Sequence, residues 1–219
     1  GATGKCMVFV TPDADRTMCS HLGITETLAE SELEVDEIAD SEFVYLEGYL
    51  VTSPSGKAAA IKAREIAEDK NVKTAITLSD PGVVEHFREG FHQMIGKQVD
   101  LLFCNEDEAL KFTGEDQLEK AIPKLRQSAR AFAVTRGARG AYLFDGHNEI
   151  HVLSPKVQAL DSNGAGDLFA GAFLYGITHG HGFANAGRLA CHAASTLVTK
   201  FGARLNQDQA KDVRSIILD

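Results

Sequence analysis

No basic stretch, no long apolar run and no paired-cysteine motif occurs in the 219 residues. Each absence removes a class of function. Without a basic patch, and with a net charge of −9, the chain lacks the electrostatic footprint of a nucleic-acid binder. Its apolar runs are too short to span a bilayer, so no membrane role is expected. No leader pattern precedes the first strand-like segment. The four cysteines, Cys6, Cys19, Cys104 and Cys191, are scattered without a C-x-x-C pair. They read as reduced thiols, and a cytoplasmic location is expected. Cys104 and Cys191 lie among apolar neighbours, as packing residues do. The eight histidines show no H-E-x-x-H spacing. His147 and His151 are four apart, but a Gly-Asn-rich turn interrupts any helix there, so both read as ordinary surface histidines.

Common nucleotide and hydrolase motifs are missing too. Gly56-Lys57 lacks the upstream glycine of a Walker loop and is followed by Ala58. Gly164 and Gly166 are followed by Phe169 where a dinucleotide fingerprint needs a third small residue. No G-x-S-x-G elbow occurs.

What is present is alternation. A hydrophobic content of 44% supports one sizeable core and an appended lobe. Lys5 to Val10 and Arg16 to Cys19 read as a hairpin around the turn at 11–15. From Val35 strand and helix patterns alternate. Strands are expected at 43–46, 74–78, 101–104, 131–135 and 141–144. Helices are expected at 55–71, 83–95, 106–112, 118–128, 165–179 and 182–199, with a loop leading to Asp161. This order implies a parallel sheet with helices on both faces, and such sheets bind ligands at the carboxyl ends of their strands. Asp80, then Asn105 and Glu108, then Thr135, Arg136, Gly137 and Gly140 follow three successive strands, and the run at Asp161 follows the last. Asp80 either faces a bound phosphate or caps the next helix, and the cap is the preferred reading.

The run Asp161-Ser162-Asn163-Gly164-Ala165-Gly166-Asp167 carries the most chemistry. A polar loop passes there into a small-residue-rich apolar segment, as at a helix start. First-turn N–H groups lack intrahelical partners, and the dipole favours negative charge. Glycines let an anion approach bare backbone. A carboxylate beside an anion hole suits phosphoryl transfer to a hydroxyl. The ordinary alternative is a helix capped by Ser162 or Asn163, with Asp167 complementing the dipole.

That run resembles the D-T-x-G-A-G-D signature of the ribokinase-like, or PfkB, carbohydrate and nucleoside kinases. Asn105-Glu106-Asp107-Glu108 resembles the family's N-x-x-E motif. Val134 to Gly140 resembles its V-T-x-G-x-x-G nucleotide loop. Ala193 to Ala203, with Phe201-Gly202-Ala203, is similar to its nucleotide-flanking helix and loop. Thr3 to Cys6 and Asp13-Ala14-Asp15-Arg16-Thr17-Met18 look most like the adenosine-kinase branch. The resemblance implies a three-layer αβα domain over 25–219, with a mostly parallel central sheet, and the remnant of a β lid over 1–24.

It also implies roles. Asp167 is the base, and the Gly164, Ala165 and Gly166 N–H groups form the anion hole. Asn105, Thr135, Gly137, Gly140 and Cys191 serve ATP, although for Cys191 a packing role stands equally open, as an exposed surface role does for Arg136. Glu108 serves Mg²⁺, through water. Asp161 and Asn163 serve a monovalent cation, K⁺, with Asn163 replacing the family's threonine. The partners are ATP and a sugar or nucleoside, and pairing through the lid into a homodimer is a further implied arrangement. Family members begin with a strand, a lid segment and a Gly-Gly motif that do not precede Gly1 here. The missing part carries the acidic residue that grips sugar hydroxyls. An unpaired sheet edge and exposed apolar surface are therefore expected. Two functional readings follow: a sugar or nucleoside kinase, and a non-catalytic ATP-binding fragment. A regulatory domain holding a phosphorylated metabolite is a third, to which Asn105 and Glu108 add nothing.

Overall fold

The structure, a computed structural model, describes residues 1–14 and 16–216; Asp15 of the adenosine-kinase-like stretch lies outside them. The order is β1 (Thr3–Val10), β2 (Arg16–Gly23), α1 (Val35–Ala39), β3 (Phe43–Leu46), α2 (Pro54–Lys70), β4 (Lys73–Thr77), α3 (Pro81–Ile95) and β5 (Val99–Asn105). Then come α4 (Glu106–Thr113), α5 (Leu118–Ser128), β6 (Ala129–Thr135), β7 (Ala141–Phe144), β8 (Glu149–Val152), α6 (Ala165–Thr178), α7 (Phe183–Leu197) and α8 (Gln207–Ser215).

β1 and β2 form a two-stranded sheet, and the other strands follow the order β3-β4-β5-β6-β7-β8. This mixed sheet, flanked by helices, is the three-layer α/β architecture expected. Two compact units share the chain. One comprises Gly1–Lys5 and His21–Val134, the other Cys6–Ser20 and the chain from Thr135 onward.

In the first unit β3, β4 and β5 run parallel, with Leu46 beside Ile76 and Thr77 beside Phe103. β5 carries a continuous run of four buried residues, Leu101 to Cys104, and β6 another, Ala131 to Val134. Such uninterrupted burial is what a strand covered on both faces needs. β3 ends the strand order and has no further partner strand among the described residues. The helices begin where side chains can stop them fraying. Ser53 accepts from the Gly56 N–H ahead of α2, and Asp80 accepts from Gly82 and Val83 at 2.7 and 3.0 Å ahead of α3. Asp80 is thus a cap.

One backbone feature here gives no sequence signal. Ser79 has φ +68° and bridges an Asp80 N–H to Leu78 C=O bond of 2.8 Å. This is a γ-turn of the rarer, positive-φ kind. The Ser79 hydroxyl donates to the Glu47 carboxylate, and a Cβ on Gly48 would strike the Thr77 carbonyl. The strained turn is therefore held from its neighbouring strand end.

In the second unit β7 and β8 pair antiparallel, Ala141 opposite Val152. Gly176 lets α6 and α7 approach closely. A Cβ on Gly176 would lie 2.8 Å from the Ala186 Cβ. Phe173, fully buried, stacks toward Phe169 at 6.2 Å and meets Phe183 edge-on at 5.0 Å. This contact fixes the helix that carries Asp167.

The structure corrects the sequence reading at three places. The segment before Asp161 is not all loop: β8 occupies Glu149–Val152, where His151 sets its ring edge-on to Tyr142 at 5.0 Å. Asp145 makes the preceding turn by accepting from His147 and Asn148 N–H groups. The short α1 and the polar α8 are also additional. α8 starts with a capping box in which Asn206 and Gln209 exchange bonds. No group of three or more histidine, cysteine or acidic residues is arranged to hold a metal among the described residues, and no described helix is long and apolar enough to cross a membrane.

Cys6 and Cys19 are exposed, whereas Cys104 and Cys191 are buried. Burial, and then the neighbouring Glu108 charge, push the Cys104 thiol well above its ordinary pKa, and burial pushes Cys191 up to about 11. Neither forms the reactive thiolate at neutral pH. Alkylation of native protein should label Cys6 and Cys19 only, and all four after denaturation, read by intact mass spectrometry. Native labelling of Cys104 or Cys191 would contradict this packing.

Candidate active site

The run at 161–167 is built around a buried carboxylate. Asp161 is 4% exposed. Its Oδ1 accepts from the Asn163 N–H at 2.8 Å and its Oδ2 from the Gly202 N–H at 2.9 Å. Leu160 and Asp161 both donate their N–H groups to the Val198 carbonyl, at 2.7 and 3.3 Å. The loop is thus fastened to the chain that follows α7. No ion pair reaches Asp161 among the described residues. The Asp161 carboxylate thus meets two N–H donors and no cation among the described residues.

The helix start differs from the capped alternative. Neither Ser162 nor Asn163 caps α6. The N-cap is Gly164 in the left-handed region, φ +76°, with no side-chain cap. Its Cβ, if present, would lie 2.8 Å from the Ala203 Cβ and 3.0 Å from the Ala203 carbonyl oxygen. Gly164 is therefore required by backbone conformation and by residue 203, before any anion is considered. Gly166 is different: it is exposed, and nothing lies within 4 Å of an added Cβ. The Ala165 N–H turns back to the Ser162 carbonyl at 3.2 Å, while the Gly166 and Asp167 N–H groups have no partner among the described residues. Two bare amides at the positive end of a 14-residue helix leave hydrogen-bond donors unmatched where the helix dipole favours negative charge. The Asp167 carboxylate is exposed in the same turn and takes no hydrogen bond or ion pair among the described residues.

The β1–β2 turn touches this loop within the same unit. Arg16 donates to the Ser162 hydroxyl at 3.0 Å, and the Ser162 N–H meets the Ala14 carbonyl at 3.3 Å. Arg16 gave no signal in the sequence beyond its place in the adenosine-kinase-like stretch.

Thr135 ends β6, and the following turn is tight. Arg136 donates its N–H to Gly140 C=O at 2.8 Å and Gly140 donates to Gly137 C=O at 3.0 Å. The two glycines have separate reasons. Gly140, φ +90°, has no room for a Cβ because the Val152 carbonyl occupies that space. Gly137, φ +57°, faces open space. Cys191 is 3% exposed on the buried face of α7.

Asn105 and Glu108, in the first unit, form a closed pair. Asn105 Oδ1 accepts from the Glu108 N–H, while the Asn105 backbone N–H and its Nδ2 donate to the two Glu108 carboxylate oxygens, each at 2.8 Å. Glu108 is 5% exposed, so this is not a solvated acidic helix start. The pair offers one acid rather than a cage. That fits Mg²⁺, which retains several waters and takes few protein ligands.

These features define an α/β sheet protein whose α6 starts with two bare amides and an exposed acid. Residues 1–210 match the pfkB family of carbohydrate kinases, and the chain belongs to that family. It is 26% identical over 205 residues to an uncharacterized sugar kinase of Archaeoglobus fulgidus, covering 93% of this chain and 80% of the relative. It is 26% identical to adenosine kinase 1 of Arabidopsis thaliana, covering 91% of this chain and 62% of that protein. The crystal structure of adenosine kinase from Sinorhizobium meliloti superposes with a TM-score of 0.92 at 32% identity, covering 97% of this chain and 66% of that one. The chain thus spans slightly under two thirds of the length of both adenosine kinases.

The glycine geometry predicts opposite outcomes two residues apart. Gly164→Ala should lose about 2 kcal/mol or more, from left-handed strain and the Ala203 collision. Gly166→Ala should gain up to about 0.5–1 kcal/mol, because alanine is the better helix residue. Thermal or denaturant melts of the two variants decide it.

Proposed function

We propose that the protein transfers the γ-phosphoryl group of ATP to a hydroxyl of a sugar or nucleoside, with adenosine-like acceptors favoured by the branch resemblance. The observation that carries this reading is the uncommitted Asp167 carboxylate in the same turn as the bare Gly166 and Asp167 amides. Asp167 takes the acceptor's proton as its oxygen bonds to the γ-phosphorus and the bond to the β–γ bridging oxygen breaks, releasing ADP. A placed base contributes roughly 10²–10⁴-fold. Of the Gly164–Gly166 N–H groups that the resemblance implies, that of Ala165 already serves the Ser162 carbonyl; those of Gly164 and Gly166 hold the charge on the phosphoryl oxygens, and in phosphoryl transfer such positioning outweighs covalent help. For Gly164 the required backbone shape adds to that role.

Glu108 and Asn105 would hold Mg²⁺ through water, and the ion neutralises phosphate charge when bound. Thr135 and the open side of Gly137 would face the nucleotide, with Gly140 keeping the turn tight. Asp161 and Asn163 are assigned to K⁺ on the strength of the buried, unpaired carboxylate. For Cys191, burial favours packing over nucleobase contact. Exposure of Met7 at 64% and Phe9 at 56% supports pairing of two copies through the β1–β2 lid.

The reading separates from that of a non-catalytic ATP-binding fragment by two measurements. Calorimetry on this chain should show MgATP binding that Gly166→Ala weakens without loss of stability, since its Cβ would occupy the anion hole. Binding of ATP without any response to adenosine or ribose supports the fragment reading for these residues. In the full-length protein Asp167→Asn should lower turnover by at least about a hundredfold while MgATP binding persists. Near-normal turnover would falsify the base assignment.

A further inference from the structure

We propose a second ligand site, for a small dianion, at the opposite edge of the sheet from the candidate active site residues of the first unit. The cavity has a volume of about 490 Å³ and is lined by residues at the amino-terminal ends of β4, β5 and β6, among them Lys73, Thr74, Lys97, Asp100 and Arg130. That volume lies within the range of small-molecule sites. The 7-residue β5 separates this edge from Asn105 by about 20 Å at ~3.3 Å per residue. One ligand of ordinary size does not reach both.

The charge pattern selects the ligand. Both acids on the lining are already matched. Asp100 accepts from the Thr74 N–H at 2.8 Å and from its hydroxyl at 3.2 Å, and pairs with Arg130 at 3.2 Å. Glu68 pairs with Arg64 at 2.6 Å. The two lysines are not matched. Lys97 makes no hydrogen bond or ion pair among the described residues. Lys73 holds its ammonium 5.4 Å from the centre of the Phe43 ring, with no carboxylate partner. Their usual excuse would be the negative end of a helix, but that effect fades beyond the last turn. Lys70 already serves α2 there, and Lys73 and Lys97 lie past the caps, Asn71 and Gly96. Two unpaired ammonium groups on a chain of net charge −9 make a local positive spot beside a cavity. The Asn71 and Gln98 amides on the same lining add orienting polar groups. A phosphate ester or a dicarboxylate has the charge to meet two lysines and the size for a cavity of this volume.

The inference is independent of the phosphotransfer reading and is tested by binding alone. ¹⁵N-labelled chain is titrated with glycerol 3-phosphate, with succinate and with neutral glycerol. Saturable shifts of amides 71–74 and 97–100 are expected with a Kd of about 1 mM or tighter. A response to glycerol 3-phosphate alone specifies phosphate chemistry, and a response to succinate as well specifies a dianion site of either kind. The double variant Lys73→Ala/Lys97→Ala should bind at least about tenfold more weakly. Lys73→Arg/Lys97→Arg, which keeps both charges, should retain binding. Both lysines are exposed, so the variants are expected to fold. Shifts confined to residues 164–167, equal shifts with glycerol, or binding unchanged in the alanine variant would each overturn the proposal.

Discussion

A single carboxylate, that of Asp161, organises the chemistry of the second unit. Buried and without a side-chain partner, it takes its hydrogen bonds from two backbone amides that lie 41 residues apart in one case and two in the other. One bond shapes the loop at Asn163; the other fixes Gly202, next to the Ala203 that presses on Gly164. The left-handed Gly164, the missing side-chain cap and the bare amides of α6 all follow from how this loop is pinned. Both bonds of Asp161 go to the loop and to the chain after α7, while Asp167, in the first turn of α6, is exposed and makes no hydrogen bond among the described residues.

The same division separates the glycines. Gly164 and Gly140 exist because another piece of chain occupies the space of a side chain. Gly137 and Gly166 face nothing that the described protein supplies. Where a glycine looks onto empty space beside bare amides, the space is of interest; where it looks onto backbone, packing accounts for it. The fold depends on the first kind and the proposed phosphate handling on the second.

The regular elements were legible because their signals are local. The apolar runs at β5 and β6, the Asp80 and Asn105 starts of α3 and α4, and the alternation of elements each depend on a few neighbouring residues. The glycine-rich run was legible as a helix start for the same reason, and its family signature is contiguous. What escaped has other causes. β8 is four residues long and follows a turn rich in Gly and Asn, so the turn masked the strand. α8 is mostly polar, with Val213 its one buried residue, so it carries little apolar periodicity. The γ-turn at Ser79 is a tertiary effect, set by Glu47 and Gly48 just after β3. The reason for Gly164 could not be read either, because Ala203 is distant in sequence.

The β1–β2 hairpin has one more consequence. Nearly all of its residues are exposed, including every residue of β2 but Gly23. A strand pair with neither face buried has little to penalise a one-residue slip, which would turn each side chain to the other face. Here the backbone itself supplies the key. A Cβ on Gly4 would lie 2.5 Å from the Leu22 carbonyl oxygen, and one on Gly23 the same distance from that of Ala2. Any slip would bring side-chain-bearing residues into those two tight places. The hairpin is thus notched at its open end, and the alignment that brings Arg16 to Ser162 is set by two residues that carry no side chain.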